Sequence, residues 1–196
     1  MVTTPEATTA KRSEPRERLL ATASAIFYAE GIRGVGVDRI IAEAAVTKAT
    51  FYRHFPGREQ LVLAYLQAED ERLRSAVEGL RASAGPVELL RGIASGISAD
   101  FCRPAFRGCA FINAAAEYPD PASDVHRLVK EHRAWFSDLV VDALTRAGHP
   151  DPERAGRHYV MIRDGAMVGG YLTDPVQAGA TFVEAVDGVL EAIPGR

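Results

Sequence analysis

Between Ala42 and Phe55 the chain leaves one short helical pattern and enters another across a tight joint, and few folds accommodate that. Ile40, Ile41, Ala44 and Ala45 close the first pattern with apolar side chains. Thr47 follows, with a side-chain oxygen suited to capping an orphan backbone N–H at the start of the next helix. Phe51 and Phe55 lie four apart, so both fall on one face of that helix and can anchor it to a small core. The other face carries Lys48, Thr50, Tyr52, Arg53 and His54, a row of donors and cations with no apolar purpose. A helix-turn-helix that offers this face to a DNA major groove accounts for it. A short surface helix at a domain corner is the plainer alternative.

The rest of the chain also reads as helices. Leu19, Leu20, Ala23, Ile26 and Phe27 recur at helical spacing from about Pro15 to Glu30, and Gly31 stands where a left-handed terminator is expected. Val37 to Ala44 forms the next short helix, with Asp38 in its first turn. The second helix of the joint runs from Lys48 to about Phe55, where Pro56-Gly57 stops it. A long helix then extends from Arg58 towards Ser83, carrying Leu61, Tyr65, Ala68, Leu73, Ala76 and Leu80 on its apolar side. At 1.5 Å per residue it spans roughly 40 Å, enough to link a head to a separate body. Further amphipathic segments begin near Pro86, run to about Ala147 after Tyr118-Pro119-Asp120-Pro121, and occupy Pro152–Leu172 and Pro175–Ile193. The nearly uncharged stretch Gly108–Glu117 implies burial. No strand-period stretch, repeat or heptad run occurs, which predicts an all-α fold of about nine helices.

Charge divides along the same line. Between Lys11 and Arg58 there are nine Lys/Arg against five acidic residues, and from Glu59 onward 14 against 20, within a net charge of −3. A basic head on an acidic body suits a phosphate-binding module joined to a domain that does not touch DNA. The expected division is an N-terminal arm over 1–13, read as disordered, a DNA-binding head over 14–58 and a body over 59–196. The arm lacks the hydrophobic segment of a secretory signal, and no apolar run approaches the ~18 residues of a membrane span. Two cysteines, Cys102 and Cys109, suit a reducing cytoplasm.

With these residues in view, the first third of the chain resembles the TetR family of bacterial transcriptional regulators. Arg16-Glu17-Arg18-Leu19-Leu20 through Ala23, Phe27 and Glu30-Gly31 is similar to that family's first helix. Val46 to Glu59 is similar to its recognition helix and the entry to its fourth helix. The resemblance implies that Thr47, Lys48, Thr50, Tyr52, Arg53, His54 and Arg58 contact DNA bases or phosphates. It further implies a homodimer on a pseudo-palindromic operator, most simply a repressor released by a small effector, which the candidate pocket residues given below make largely apolar. Gly36 departs from the Thr or Ser that the family usually places at the second helix's cap, and the hydroxyl–phosphate bond that such a residue supplies is not expected here.

The body offers candidates for the ligand and for the dimer. Phe101, Phe106, Phe111, Asn113, Glu117, Tyr118, Trp135, Tyr159, Met161 and Met167 mix bulky apolar surface with polar tips, as pockets between helices do, and as ordinary cores also do. Gly165, Ala166, Gly169 and Gly170 imply a close helix crossing. Gly165 and Gly169 with Phe182, Val183, Val186 and Leu190 are the dimer candidates, intramolecular packing being the alternative. Cys102 and Cys109 read as buried small hydrophobes rather than a redox pair. His126 and His132, six apart, do not share a helix face, and no metal site, cofactor motif or catalytic motif is expected. An enzyme using Glu117, His132 or Tyr159, and an architectural DNA-binding dimer without an effector, are the competing functions.

Overall fold

The computed structural model describes residues 14–195; the arm expected over 1–13 lies outside them. Among the described residues there are nine α-helices and no strand, the expected all-α architecture. The chain parts into two compact units between Leu61 and Val62.

In the first unit, α1 (Glu14–Glu30), α2 (Val37–Glu43) and α3 (Lys48–His54) pack on one another, and α4 (Arg58–Arg81) begins there. Leu19, Ala23, Ile26 and Phe27 of α1 are buried at the spacing of a single helix face, and Ile40, Phe51, Phe55 and Leu61 of the same unit are buried too. α1 ends as the sequence predicts: Gly31 takes φ 89° and its N–H returns to the Phe27 carbonyl at 3.1 Å. The joint after α2 is a Schellman turn. The N–H of Ala45 reaches Ala42 at 3.1 Å and that of Val46 reaches Ile41 at 3.2 Å, with Ala45 itself at φ 51°. Alanine in this left-handed position is strained where glycine would not be, and the fixed turn sets the angle at which α3 leaves α2.

The second unit holds the rest of α4 together with α5 (Pro86–Phe101), α6 (Ala110–Glu117), α7 (Asp124–Arg146), α8 (Pro152–Leu172) and α9 (Pro175–Leu190). Asp151-Pro152 and Asp174-Pro175 start α8 and α9 by one device. Each aspartate accepts a backbone N–H three residues on, from Arg154 at 3.1 Å and Gln177 at 2.8 Å, and each proline fills a first-turn position whose N–H needs no partner. α5, α7, α8 and α9 enclose a core of Leu89, Leu90, Phe101, Val140, Leu144, Tyr159, Phe182, Val186 and Leu190. The phenol of Tyr159, pushed up by burial, donates to the Leu90 carbonyl at 2.8 Å.

Several local expectations need correction. α9 ends at Leu190 rather than near Ile193, which turns back into the core. α6 is buried on one side only, through Ala110, Phe111 and Ala114, while Asn113 and Ala116 face outward. Cys109 is buried, but Cys102 is exposed. The small residues of α8 serve different ends. A Cβ on Gly170 would lie 2.5 Å from the Phe101 ring, so that glycine permits an intramolecular crossing with α5, whereas Gly165 has open space around it.

Candidate nucleic-acid interface and body cavity

The face predicted to read DNA is held from behind by its own aromatic residues. Phe51 is fully buried, its ring 5.1 Å from Tyr52 and 6.0 Å from Phe55, and this pins a helix of only seven residues that would not persist alone. Thr47 caps α3 as expected, its Oγ1 accepting the Thr50 N–H at 3.1 Å and lying 2.9 Å from Thr50 Oγ1. Lys48 extends across to α2, where Nζ meets Asp38 Oδ1 at 3.0 Å; that carboxylate holds the ammonium above the usual lysine range. Tyr52 is 48% exposed. Arg53 is exposed and has no hydrogen-bond or ion-pair partner among the described residues. His54 is half-buried at the end of the same helix.

Two arginines of the head bond within it. Arg39 joins Glu30 of α1 through two hydrogen bonds, at 2.5 and 2.7 Å, and Glu43 of its own helix at 2.7 Å. Arg58 donates from Nη2 to the Ile32 carbonyl. This bond ties one nitrogen of the Arg58 guanidinium to the loop between α1 and α2. Gly36 caps α2 with no side-chain bond, as its lack of a side chain requires.

The ten body residues expected to line a pocket are spread over the core, the surface and one small cavity. Phe101 lies in the core with its ring 6.4 Å from that of Phe182, and Phe106 packs on it at 5.2 Å. Tyr159 is core. Asn113 is exposed and donates to the Arg107 carbonyl at 2.8 Å. Glu117 and Tyr118 are half-buried at the end of α6, and Met167 is half-buried against the core. Trp135 lies under the Arg74 guanidinium, 4.3 Å from ring centroid to carbon. Met161 is 70% exposed. Of the ten, only Phe111 lines the enclosed cavity of about 20 Å³ between α6, α7 and α8, with Cys109, Ile112, Val129, His132, Arg133, Phe136, Val160, Arg163 and Asp164.

Of the polar groups at this cavity the sequence singles out His132 and Cys109 for other roles, and it does not single out Asp70, Arg133 or Arg163. Phe111 stacks flat on His132 at 3.6 Å, and His132 Nδ1 lies 2.6 Å from Asp70 Oδ1 of α4. Arg163 sits in the interior, with Nη2 donating to Cys109 Sγ at 3.3 Å and Nη1 to Asp164 at 3.0 Å. A charged residue four positions after Tyr159 on the buried side of α8 was the available signal.

Burial pushes the His132 imidazole below its ordinary 6.5, despite the opposing pull of Asp70. The unfolded chain then takes up a proton before the folded one, so the histidine's contribution is complete above pH 6.5 and is lost progressively below it. Burial raises Asp70, but His132 and Arg74 more than offset that and leave it below 3.8, so its own contribution fails only in stronger acid. The melting temperature is expected to fall between about pH 7 and pH 5 in the wild type and to fall less in His132→Gln. Parallel melting curves across that range check this.

The dimer candidates separate by burial. Phe182, Val186 and Leu190 are at most 1% exposed and belong to the protomer's own core, so they are corrected out of the outer surface. Gly165 is exposed, and Gly169 and Val183 are half-buried. The large apolar residues that α8 and α9 leave outside are Met161, Val168, Tyr171, Leu172 and Val176, exposed by 70, 52, 42, 68 and 69%.

Residues 19–65, the helices just described with the start of α4, match the description "Bacterial regulatory proteins, tetR family". Over 138 residues the chain is 30% identical to the HTH-type transcriptional regulator LmrA of Bacillus subtilis, covering 69% of this chain and 73% of that one. The chain belongs to the TetR family. It is also 30% identical over 145 residues to the HTH-type transcriptional activator FasR of Mycolicibacterium smegmatis, covering 74% of this chain and 65% of the relative. A crystal structure of a TetR-family transcriptional regulator from Streptomyces coelicolor matches with a TM-score of 0.89 and 52% identity, over 92% of this chain and 96% of that one. The regulator's helix-turn-helix is thus a DNA-binding one. No described helix is long and apolar enough to cross a membrane.

Proposed function

We propose that this TetR-family regulator is a cytoplasmic homodimer that represses transcription from a pseudo-palindromic operator and is released by a small, largely apolar effector. The observation that carries the DNA-binding half of this reading is the outer face of α3, where Arg53 is an unpaired cation beside exposed Tyr52 and Lys48. Thr47, Lys48, Thr50, Tyr52, Arg53 and His54 are the proposed contacts, with Arg58 at the start of α4 on the DNA backbone. Lys48 exchanges its exposed Asp38 partner for phosphate, while the Tyr52 hydroxyl donates to a phosphate oxygen. The two α3 helices of the dimer enter successive major grooves about 34–36 Å apart.

The dimer forms through the outer stripe of α8, Met161, Gly165, Val168 and Leu172, together with Val176 and Val183 of α9. Spacings of four, three and four put the α8 residues on one helix face, and exposed glycine permits close approach. An effector enters between α6, α7 and α8, where Phe111, Ile112, Val129, Phe136 and Val160 supply apolar walls. Its occupancy acts on α4 through His132, which faces the cavity and holds Asp70. By linkage, the change in operator affinity equals the ligand's differential affinity for the DNA-binding and released states.

Operator duplex recovered from genomic fragments tests the contacts in a gel-shift titration. Lys48→Ala and Tyr52→Phe are each expected to weaken binding about five- to tenfold, the effect of roughly 1 kcal/mol, with unchanged melting temperatures. Unchanged operator affinity in both variants would show that α3 is wrongly assigned. The M. smegmatis relative is named an activator, so activation is the second reading, and a promoter reporter with and without the regulator distinguishes the two.

A further inference from the structure

We propose that the cavity between α6, α7 and α8 binds the carboxylate of a small organic acid, with Arg163 as counter-ion and the phenylalanine-lined wall holding the acid's apolar body. This rests on the reading above that a small ligand controls the regulator, and it narrows that ligand's chemistry.

Charge around Arg163 is unmatched. The Arg163 side chain is only 10% exposed, yet its hydrogen-bond partners are poor for a buried guanidinium. Nη2 has the Cys109 sulfur, a weak acceptor, Nε has no hydrogen-bond partner, and the guanidinium carbon lies 5.5 Å from the centroid of the Phe136 ring. Its one carboxylate, Asp164, is shared, since Asp164 Oδ2 also takes Arg133 Nη2 at 2.6 Å. Asp70, the carboxylate behind His132, is occupied by His132 and by Arg74 at 2.7 Å. The cavity wall therefore carries two guanidinium groups against the single carboxylate of Asp164. A buried charge one acceptor short is costly, and such groups mark places where a further partner binds.

Carboxylate is the partner that fits. It is planar, matches the fork of a guanidinium, and replaces a weak sulfur acceptor with a charge-assisted one. A neutral ligand leaves the excess charge as it is, and a cationic one adds to it. The remaining wall, Phe111, Ile112, Val129, Phe136 and Val160, is apolar, so the acid's other end is hydrocarbon or aromatic. At about 20 Å³ the cavity is no larger than a single water, so the acid enters by parting α6 from α7 and α8.

The test titrates benzoate, phenylacetate and hexanoate, each beside its uncharged amide, into the full-length protein by calorimetry. At least one acid is expected to bind, its amide at least tenfold more weakly, and Arg163→Gln is expected to erase that preference. Cys102→Ser leaves Cys109 as the sole thiol, so alkylation of Cys109 gives a second readout that needs no change at Arg163. The acid slows alkylation and its amide does not. The proposal is overturned if no acid binds at millimolar concentration, if an amide binds as tightly as its acid, if Arg163→Gln keeps the preference, or if Cys109 is not protected. Ligand control fails separately. Acids that protect Cys109 without changing operator affinity leave the site standing and remove its regulatory role. A ligand that lowers operator affinity without protecting Cys109 does the reverse.

Discussion

Replacing Phe51 with alanine is expected to abolish operator binding and to cost about 3–5 kcal/mol, the range for truncating a buried phenylalanine. The side chain is wholly buried and is the one residue of α3 that faces the head's core. α3 has only seven residues, and a helix that short keeps its shape through packing rather than through its own hydrogen bonds. Whole domains hold only about 5–15 kcal/mol, so a loss of this size from so small a core unseats the helix. The neighbouring Tyr52→Phe supplies the contrast. Tyr52 is half-exposed, and its variant is expected to melt with the wild type while binding DNA less well. Melting curves and gel shifts on the two variants separate support of the face from the face itself. A Phe51→Ala protein that melts normally and binds DNA contradicts the packing account.

Placing glutamate at both Val168 and Leu172 is expected to yield a folded monomer whose operator affinity is lower by about a hundredfold or more. Both side chains are more than half exposed, so charge there costs the protomer's core little. In a dimer the same positions are buried against their own copies, where like charges repel and are stripped of water. A monomer carries one recognition helix and reads half an operator, and it loses the gain from linking two half-sites. Sedimentation velocity gives the oligomeric state and circular dichroism the retained helicity. Val186→Glu is the control for the opposite case: Val186 is fully buried, and its variant is expected to misfold rather than simply dissociate.

The head was legible because its signals are local. Phe51 and Phe55 at helical spacing, a threonine cap and Pro56-Gly57 act within a few residues of themselves, and α3 stands where they put it. The same holds for the helix starts at Asp151-Pro152 and Asp174-Pro175. The body's sites depend on which helix faces which, and spacing along one chain does not contain that. Phe182, Val186 and Leu190 have the pattern of an interface, but the face they form is turned onto α5 and α8 within the protomer. Arg58 has the chemistry of a phosphate contact, and it also meets the carbonyl of Ile32, 26 residues earlier, which no local pattern announces. Arg163 and Cys109 are 54 residues apart and meet only once α6 and α8 are both in place.

The central claim, that the outer face of α3 is the regulator's output, is tested most directly by operator affinity measured against salt. Titrations of the recovered operator between about 50 and 200 mM salt are predicted to show affinity falling by roughly 10³-fold or more for the wild-type protein. Arg53→Ala, which removes the unpaired cation of the face, is predicted to reduce the slope of log affinity against log salt by about one for each α3 helix engaged. An Arg53→Ala slope equal to that of the wild type, with equal affinity, would contradict the claim.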